Sequence, residues 1–577
     1  MAATSELDRV SAIILRNMRT PFLVLLATYA IGITGMALIP GEEGAEGHGR
    51  MNLYHAFYFF TYSATTTGFG EIPRAFSDAQ RLWATICLYI GVIAWLYAIG
   101  SFIRLIQHPE LLTALAERRF ARSVQRISHP FFIICGFGDT GSLLARGLSE
   151  NYCTAVVIDS DTERIKALGL RDYRISMPGL CADASVPKHL IDAGVTRTDC
   201  RAVVTLTPSE DTNLKIAVMA RTLNPSVRIV CRSTTQQNRE YLETVGEVTI
   251  VDPYEIFARQ LRTAICTPLL YAWEDWLVGA LSTDLEKPPV PPLGKWILCG
   301  YGRMGKAISS ALKERDIETV VVDPDQVPTD SELHRVMGRA GTSTLREAGI
   351  EDAVGIVAGT DCDEDNLGIL LSTRKLNPLV FSVVRQNHHE NELAFSGARA
   401  NLIMQPSLIT ARRILLALTA PLFLDLRIYL RSIEGRARIG EVVDRTERIF
   451  TGRRPRFWTL SLASAGTAIV SLQRRGVPIT LGDVLRSPVD RTRRLEVLPL
   501  VLQRRGTSIM LPDDGLELTD TDTILFCGTV PAGRMLASSL QNSYTLYYLH
   551  TGHEEPRGYF AFWLAKQRRA GDRPARS

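Results

Sequence analysis

The stretch Thr65-Thr66-Thr67-Gly68-Phe69-Gly70-Glu71, TTTGFGE, lies between two long apolar runs near the start of a 577-residue chain. It can be read as a glycine turn, as a phosphate-cradling loop, or as backbone whose carbonyls face an ion. Its flanks decide. Pro21 to Pro40 (PFLVLLATYAIGITGMALIP) and Leu82 to Ile103 (LWATICLYIGVIAWLYAIGSFI) carry no charged residue. Each reaches the ~20 residues that an α-helix needs to cross the hydrocarbon core. The first run is too long, starts too late and lacks the small-residue exit of a cleaved signal peptide.

Between the runs come a polar loop, GEEGAEGHGR, and then MNLYHAFYFFTYSATTTGFGEIP. Leu53 to Ser63 is aromatic-rich and uncharged apart from His55, long enough for about three helical turns and too short to cross. This predicts a half-helix that enters the membrane and leaves again. Non-helical backbone at membrane depth is tolerated where protein covers it or where it lines a water-filled path. Gly68 and Gly70, without a Cβ, can take positive φ and let successive carbonyls point one way. No strand precedes these glycines and no Lys follows them, which removes the phosphate-loop reading.

Helix, short pore helix, T-x-G-[YF]-G-[DE], helix: this order resembles the pore of the potassium channel superfamily. The resemblance implies four copies around an axis, with carbonyl rings replacing the hydration shell of a permeant K+. The filter would be Thr65, Thr66, Thr67, Gly68, Phe69 and Gly70. Thr66, Thr67, Gly68 and Phe69 would supply the oxygens, and Gly70 and Glu71 the outer edge. Thr67 stands where the family most often has Val or Ile, Phe69 where Tyr is commonest, and Glu71 for the usual Asp. Thr67 leaves the strictness of K+ over Na+ selection open. In the second run, Gly91 and Gly100 are candidates for a gating hinge or for close helix packing. No Arg-rich span exists that would act as a voltage sensor.

Further along, FFIICGFGDTGSLLARGL and KWILCGYGRMGKAISSAL each read as strand, G-x-G-x-x-G turn and amphipathic helix. Each continues to a strand ending in an acid, Asp159 in VVIDSD and Asp323 in VVVDPD, both 18 residues beyond the last glycine. From Asn213 and Asn366 through Pro253 and Pro406 the copies keep a constant offset of 153 residues, so the unit is duplicated. Strands alternating with helices predict doubly wound parallel sheets with ligand at their carboxyl ends. These details resemble the RCK domain, the regulator of potassium conductance, including CADASVPKHLIDAGV with Asp183 in the family's acid position. MGRAGTSTLREAGI lacks that acid. TPLLYAWEDWLVGAL and APLFLDLRIYL resemble the RCK crossover helices. From Ile439 to Gly528 the pattern predicts short alternating strands, with AIVSLQRRG echoed by LPLVLQRRG, and resembles the small α+β lobe that follows RCK domains.

In a dinucleotide site the glycines let N–H groups approach phosphate and the strand-end acid holds ribose hydroxyls. Gly300, Gly302, Arg303, Gly305 and Asp323 are the favoured set for NAD or an adenine nucleotide, with Arg303 placed to meet phosphate. Gly136, Gly138, Gly141 and Asp159 form a weaker set, because Asp139 stands where the second copy has Arg303. Asp159, Asp161, Asp183, Glu210 and Asp211 gather near strand ends of the first copy. Of these, Asp183, Glu210 and Asp211 are the candidate ligands for a regulatory Ca2+, against the plainer reading of solvated loop acids. No nucleophile with a base, and no proton-transfer His, stands near the glycine turns, so a membrane-tethered NAD-dependent enzyme is disfavoured.

The bulk numbers agree. With 22% charged and 46% hydrophobic residues the composition is ordinary for a globular chain, and the slight net charge of +4 makes no case for nucleic acid. Nine of ten cysteines lie beyond the apolar runs without a C-x-x-C pair, as in a reducing compartment. Arg9, Arg16 and Arg19 before the first run, and Arg104, Arg118, Arg119, Arg122 and Arg126 after the second, place both termini in the cytoplasm of a cell inner (plasma) membrane. The expected division is an N-terminus 1–19, a pore domain 20–106, a linker 107–130, a first RCK domain 131–286, a Pro-rich connector 287–294, a second RCK domain 295–438, a C-terminal lobe 439–536 and a tail 537–577. The expectation is a lipid-embedded, homotetrameric, ligand-gated potassium channel, and not an enzyme. A non-selective cation channel on the same scaffold and a non-conducting nucleotide-sensing regulator remain as alternatives.

Overall fold

The computed structural model describes residues 2–41, 49–72, 75–278, 290–314, 316–325, 334–450 and 455–555. Most of the loop before the pore helix, the start of the Pro-rich connector (287–289) and the tail beyond 555 lie outside the described residues. The chain forms two compact units that divide between Ser128 and His129.

In the first unit, an outer helix spans Ala2–Leu38, a pore helix Leu53–Ala64, an inner helix Asp78–Ile106 and a linker helix Pro109–Gln125. Ile14–Leu38 and Asp78–Ile106 are long and apolar enough to cross a membrane, and this is a membrane protein. Two small residues set the packing. A Cβ on Gly32 would run into the Phe60 ring, and one on Gly35 into Trp83. Gly32 also accepts a hydrogen bond from Trp83 Nε1 at 3.2 Å, which locks outer and inner helices around the pore helix. Ser77 caps the inner helix in a capping box with Gln80 and donates to the Pro40 carbonyl at 2.9 Å. Leu82, Ile93 and Leu96 on the inner helix are exposed.

The second unit holds the duplicated fold. Strands β1 (Phe131–Cys135), β2 (Thr154–Asp159), β3 (Gly179–Cys181), β4 (Cys200–Thr205), β5 (Arg228–Arg232) and β6 (Val248–Val251) form a parallel sheet in the order β3-β2-β1-β4-β5-β6. Strands β7 (Trp296–Cys299), β8 (Thr319–Asp323), β9 (His334–Met337), β10 (Gly355–Ala358), β11 (Phe381–Arg385) and β12 (Leu402–Met404) repeat it as β9-β8-β7-β10-β11-β12. The strands read as unbroken apolar runs because helices cover both faces. The copies exchange a helix. Phe257 and Leu261 of Pro253–Cys266 pack in the second copy's core with Trp296 and Leu298, while Ala411 and Ile414 of Pro406–Thr419 pack in the first copy's core with Leu144 and Leu148. Beside them, the crossover helices Pro268–Val278 and Phe423–Arg431 share a core in which Trp273, Phe423 and Phe457 meet.

The C-terminal lobe carries an antiparallel sheet, β13-β16-β14-β15, from β13 (Arg456–Ser461), β14 (Val497–Arg504), β15 (Thr507–Met510) and β16 (Thr523–Gly528). Two expectations are corrected. Ile433–Ile449 is a helix and not strand, because Ile439, Val442 and Val443 fall on one helical face and enter the crossover core. The boundary placed at 536/537 cuts the helix Val530–Gln541, and Ser543–Thr551 follows; Leu536, Leu540 and Leu546 complete the lobe's core. The echoed phrase shares only its closing turn, with Gly476 and Gly506 at φ of 74° and 85°: AIVSLQ lies in the helix Thr467–Gln473, and LPLVLQR in β14.

Candidate functional site

At the end of the pore helix the chain changes hand residue by residue. Thr66, Gly68 and Gly70 have φ of 57°, 66° and 88°, while Thr65, Thr67 and Phe69 lie outside the positive region. Such alternation is what turns successive carbonyls to one side. The two glycines were expected there; Thr66 was not, and a β-branched residue held left-handed costs on the order of 1–3 kcal/mol, a strain that persists where the surroundings impose it. Those surroundings are aromatic. Tyr62 Oη donates to the Gly70 carbonyl at 2.5 Å, and Phe69 lies against Tyr58 and Tyr62 with centroids 6.2 and 5.6 Å away. Glu71 accepts from Phe76 N and Arg81 Nε, each at 2.9 Å, fixing the outer edge. Residues 65–70 are exposed in the single chain.

The hinge candidates separate. Gly91 is buried, and a Cβ there would come within 3.1 Å of Ala64 and 3.4 Å of Phe60, so it serves close packing. A Cβ on Gly100 would meet nothing within 4 Å. The inner helix runs unbroken through both.

In the second copy the glycine turn opens onto a cavity of about 660 Å³ at the carboxyl ends of β7, β8 and β10. Gly300 needs its φ of 95°, and a Cβ on Gly305 would strike the Gly300 carbonyl, so the turn is tight. Gly302 has nothing within 4 Å of a Cβ and leads into Arg303–Lys313 without a side-chain cap, which leaves a helix N-terminus facing open space. Asp323 accepts from Tyr301 N at 2.5 Å and Asp325 N at 2.9 Å. Arg303 lines the cavity but is already engaged. Its Nη1 donates to Thr234 Oγ1 at 2.8 Å, and its guanidinium stands 4.9 Å over the Tyr254 ring. The sequence reading missed Arg385, at the end of β11. It lines the same cavity, its Nε is buried without an acceptor among the described residues, and burial pushes it below the usual arginine range. Its place in VVR, matched by VCR in the first copy, was the available signal. Arg303, Arg339 and Arg385 face Asp323, Asp325, Asp361, Glu364 and Asp365 across the cavity.

The first copy keeps the turn but covers it. Gly136 has a φ of 104°, and a Cβ on Gly141 would strike its carbonyl. The Arg164 guanidinium stands 3.6 Å from Asp159 and 3.4 Å from Asp161, and would lie 3.8 Å from a Cβ on Gly138. Asp139 opens the helix Asp139–Glu150 and is exposed.

The expected Ca2+ ligands are not brought together, and among the described residues no three His, Cys, Asp or Glu side chains gather as a metal would need. Glu210 instead closes the loop before the helix Gln236–Thr244. It accepts from Thr234 N and Thr235 N at 3.1 Å each, from Thr235 Oγ1 at 2.7 Å and from Thr234 Oγ1. Burial works to raise its pKa, but these bonds outweigh it and hold the carboxyl at about 2. Asp363, 153 residues on, does the same for Asn387 N and His388 N, at 2.7 and 3.0 Å. Asp183 accepts from Ser185 N at 2.8 Å, which lowers its pKa. Asp211 sits in the first turn of Glu210–Leu223.

Residues 22–108 match the ion channel family, and residues 132–253 and 296–406 each match the TrkA-N domain. Over 236 residues the chain is 35% identical to potassium channel protein 1 of Methanocaldococcus jannaschii, covering 41% of this chain and 68% of that protein. The chain belongs to the potassium channels with two membrane helices and RCK domains. This RCK channel spans 36% of the length of an uncharacterized protein of Methanothermus fervidus, to which it is 26% identical over 251 residues, 43% of the chain. A solved GsuK channel bound to NAD aligns with 92% of the RCK channel and 99% of its own chain, at 17% identity and a TM-score of 0.45.

Proposed function

We propose that this RCK channel conducts K+ passively as a homotetramer, and that a cytoplasmic ring of its RCK domains sets pore opening by binding NAD or an adenine nucleotide in the second copy. The observation that carries the reading is the run of alternating φ at Thr66, Gly68 and Gly70, exposed in one subunit. Irregular backbone at that depth is tolerated around a shared water-filled axis, where carbonyl rings stand in for ion hydration. Exposed Leu82, Ile93 and Leu96 suit lipid or a neighbouring subunit, and the arginines flanking the two spans support a reading with both termini on the cytoplasmic side of the plasma membrane.

The nucleotide reading rests on the second copy's cavity. The open cradle at Gly302 and the buried, unpartnered Nε of Arg385 fit a phosphate, and Asp323 sits where ribose hydroxyls would lie. Five carboxylates against three guanidinium groups favour NAD, whose nicotinamide ring is cationic, over the more anionic ATP. When bound, NAD supplies no chemistry here; Arg303, Arg385 and Asp323 hold and orient it. Calorimetry of the full-length protein tests this, with saturable NAD binding expected and weaker ATP binding. No heat with either would remove the nucleotide from the account and leave the pore untouched.

A further inference from the structure

The joint between the two RCK copies contains an unbalanced buried charge. Arg427 Nε donates to Glu274 Oε1 at 2.7 Å, with the two side chains 11% and 8% exposed. Arg431 donates to the neutral Thr263 Oγ1 at 2.6 Å, and its Nε is buried without an acceptor among the described residues. Nη1 of Arg413 is likewise buried with no acceptor among them. Arg259, also near, has its own partner in Glu255 at 3.7 Å. Among the described residues, three guanidinium groups, on Pro406–Thr419 and Phe423–Arg431, therefore share the carboxylate of Glu274 on Pro268–Val278.

A buried carboxyl or amine in this position would shed its charge, but a guanidinium does not. Burial first, and then Arg427, pushes Arg413 down to about 9 and Arg431 to about 10, so both stay protonated at neutral pH. A buried charge without a counter-charge is strongly unfavourable. Beside Arg413, Arg427 and Glu274 lies a cavity of about 40 Å³, larger than the roughly 10–15 Å³ that one water-sized occupant needs. Its other walls include Ile256, Ile409, Leu416 and Phe423. Gln260 and Arg412 complete the lining, so donors are present, and it is the small volume, room for only a few water-sized occupants, that suits a monatomic ion over phosphate or sulfate.

We propose that the cavity between Arg413 and Arg427 binds a halide ion of chloride's size, which neutralises the joint and ties the helix Pro406–Thr419 to the crossover helices. Occupancy stiffens the contact between the copies, independently of the nucleotide pocket and of conduction.

The test uses full-length protein in detergent, unfolded thermally in potassium chloride and in potassium gluconate at equal ionic strength, with chloride-35 NMR line broadening as the binding readout. Wild type is expected to gain Tm saturably with chloride and to broaden the line. Arg413→Met should abolish both effects while unfolding in gluconate no earlier than wild type. Should that variant fail to fold, Arg413→Lys should fold and require at least tenfold more chloride for half-saturation. Glu274→Gln, which removes the competing carboxylate, should require several-fold less. Equal Tm values in the two salts, a full chloride effect surviving in either Arg413 variant, or greater stabilisation by sulfate than by chloride would each overturn the proposal.

Discussion

Arg303 of the second RCK copy donates to Thr234 of the first at 2.8 Å, and Thr234 in turn donates its backbone N–H to Glu210 at 3.1 Å. A residue that lines one copy's pocket at its glycine turn is thus bonded to a loop of the other. A phosphate that drew Arg303 inward would release Thr234, so ligand binding and the joint between the copies share one side chain. An effector shifts a conformational equilibrium by its differential affinity for the two states, and a bond broken on ligand binding would contribute to that difference.

Arg303→Ala should therefore weaken NAD binding about tenfold, ~1.4 kcal/mol, in calorimetry of the full-length protein. Thr234→Ala frees Arg303 from its competing acceptor and should leave NAD binding as tight or tighter. Unchanged affinity in Arg303→Ala would move the nucleotide away from this residue.

Glu210→Gln should destabilise the RCK unit at neutral pH. A carboxyl held at about 2 against an ordinary 4.5 contributes at most about 3 kcal/mol, and partial solvent exposure reduces the expectation to about 2 kcal/mol. Because the folded value is the lower one, the contribution is complete above pH 4.5 and is lost as pH falls toward 2. Denaturant melts of wild type and variant should therefore differ at pH 7 and converge only as pH approaches 2. A difference independent of pH would mean that the charge is not what holds the loop.

The two RCK copies could be read from sequence because the strand before each glycine turn is a continuous apolar run, FFIIC and WILC, and each turn repeats its glycines at fixed spacing. For Glu210 the sequence does not separate a cation ligand from a loop acid. Its hydrogen-bond partners, Thr234 and Thr235, are more than twenty residues away, and a clustered acid looks the same in sequence whether it faces a cation or backbone N–H groups. Thr66 was missed because nothing local favours φ above zero for a threonine; the Tyr62 bond to Gly70 and the aromatic packing of Phe69 hold the segment. The duplicated LQRRG shows the converse. Its Leu-Gln pair folds as helix in one copy and as strand in the other, since neighbours and not propensity place Leu472 and Leu502 in the lobe's core.

Tyr62→Phe removes the hydroxyl that donates to the Gly70 carbonyl. We expect the pore to lose about 1 kcal/mol of stability per chain and any K+ over Na+ preference, read from the reversal potential in mixed salts, to fall. The same measurement on wild type settles how strictly a filter with Thr67 selects. Its hydroxyl shares a hydrogen bond with Thr65 Oγ1 at 3.0 Å.

Gly91→Ala and Gly100→Ala should behave differently. The first puts a methyl 3.1 Å from Ala64 and should lower thermal stability of the assembled pore. The second meets open space and should stabilise the inner helix by roughly 0.5–1 kcal/mol, while lowering open probability in single-channel records if Gly100 is where the helix bends. An unchanged open probability would assign Gly100 no part in gating.

If four filters surround a K+ path under the control of the RCK ring, the purified protein alone carries K+ across a membrane. The most direct test is K+ uptake into liposomes reconstituted with purified full-length protein, across a titration of NAD. Uptake that depends on the protein and changes with NAD is the expected result. No uptake above empty liposomes at any NAD concentration, from protein shown to be tetrameric and folded, would contradict it.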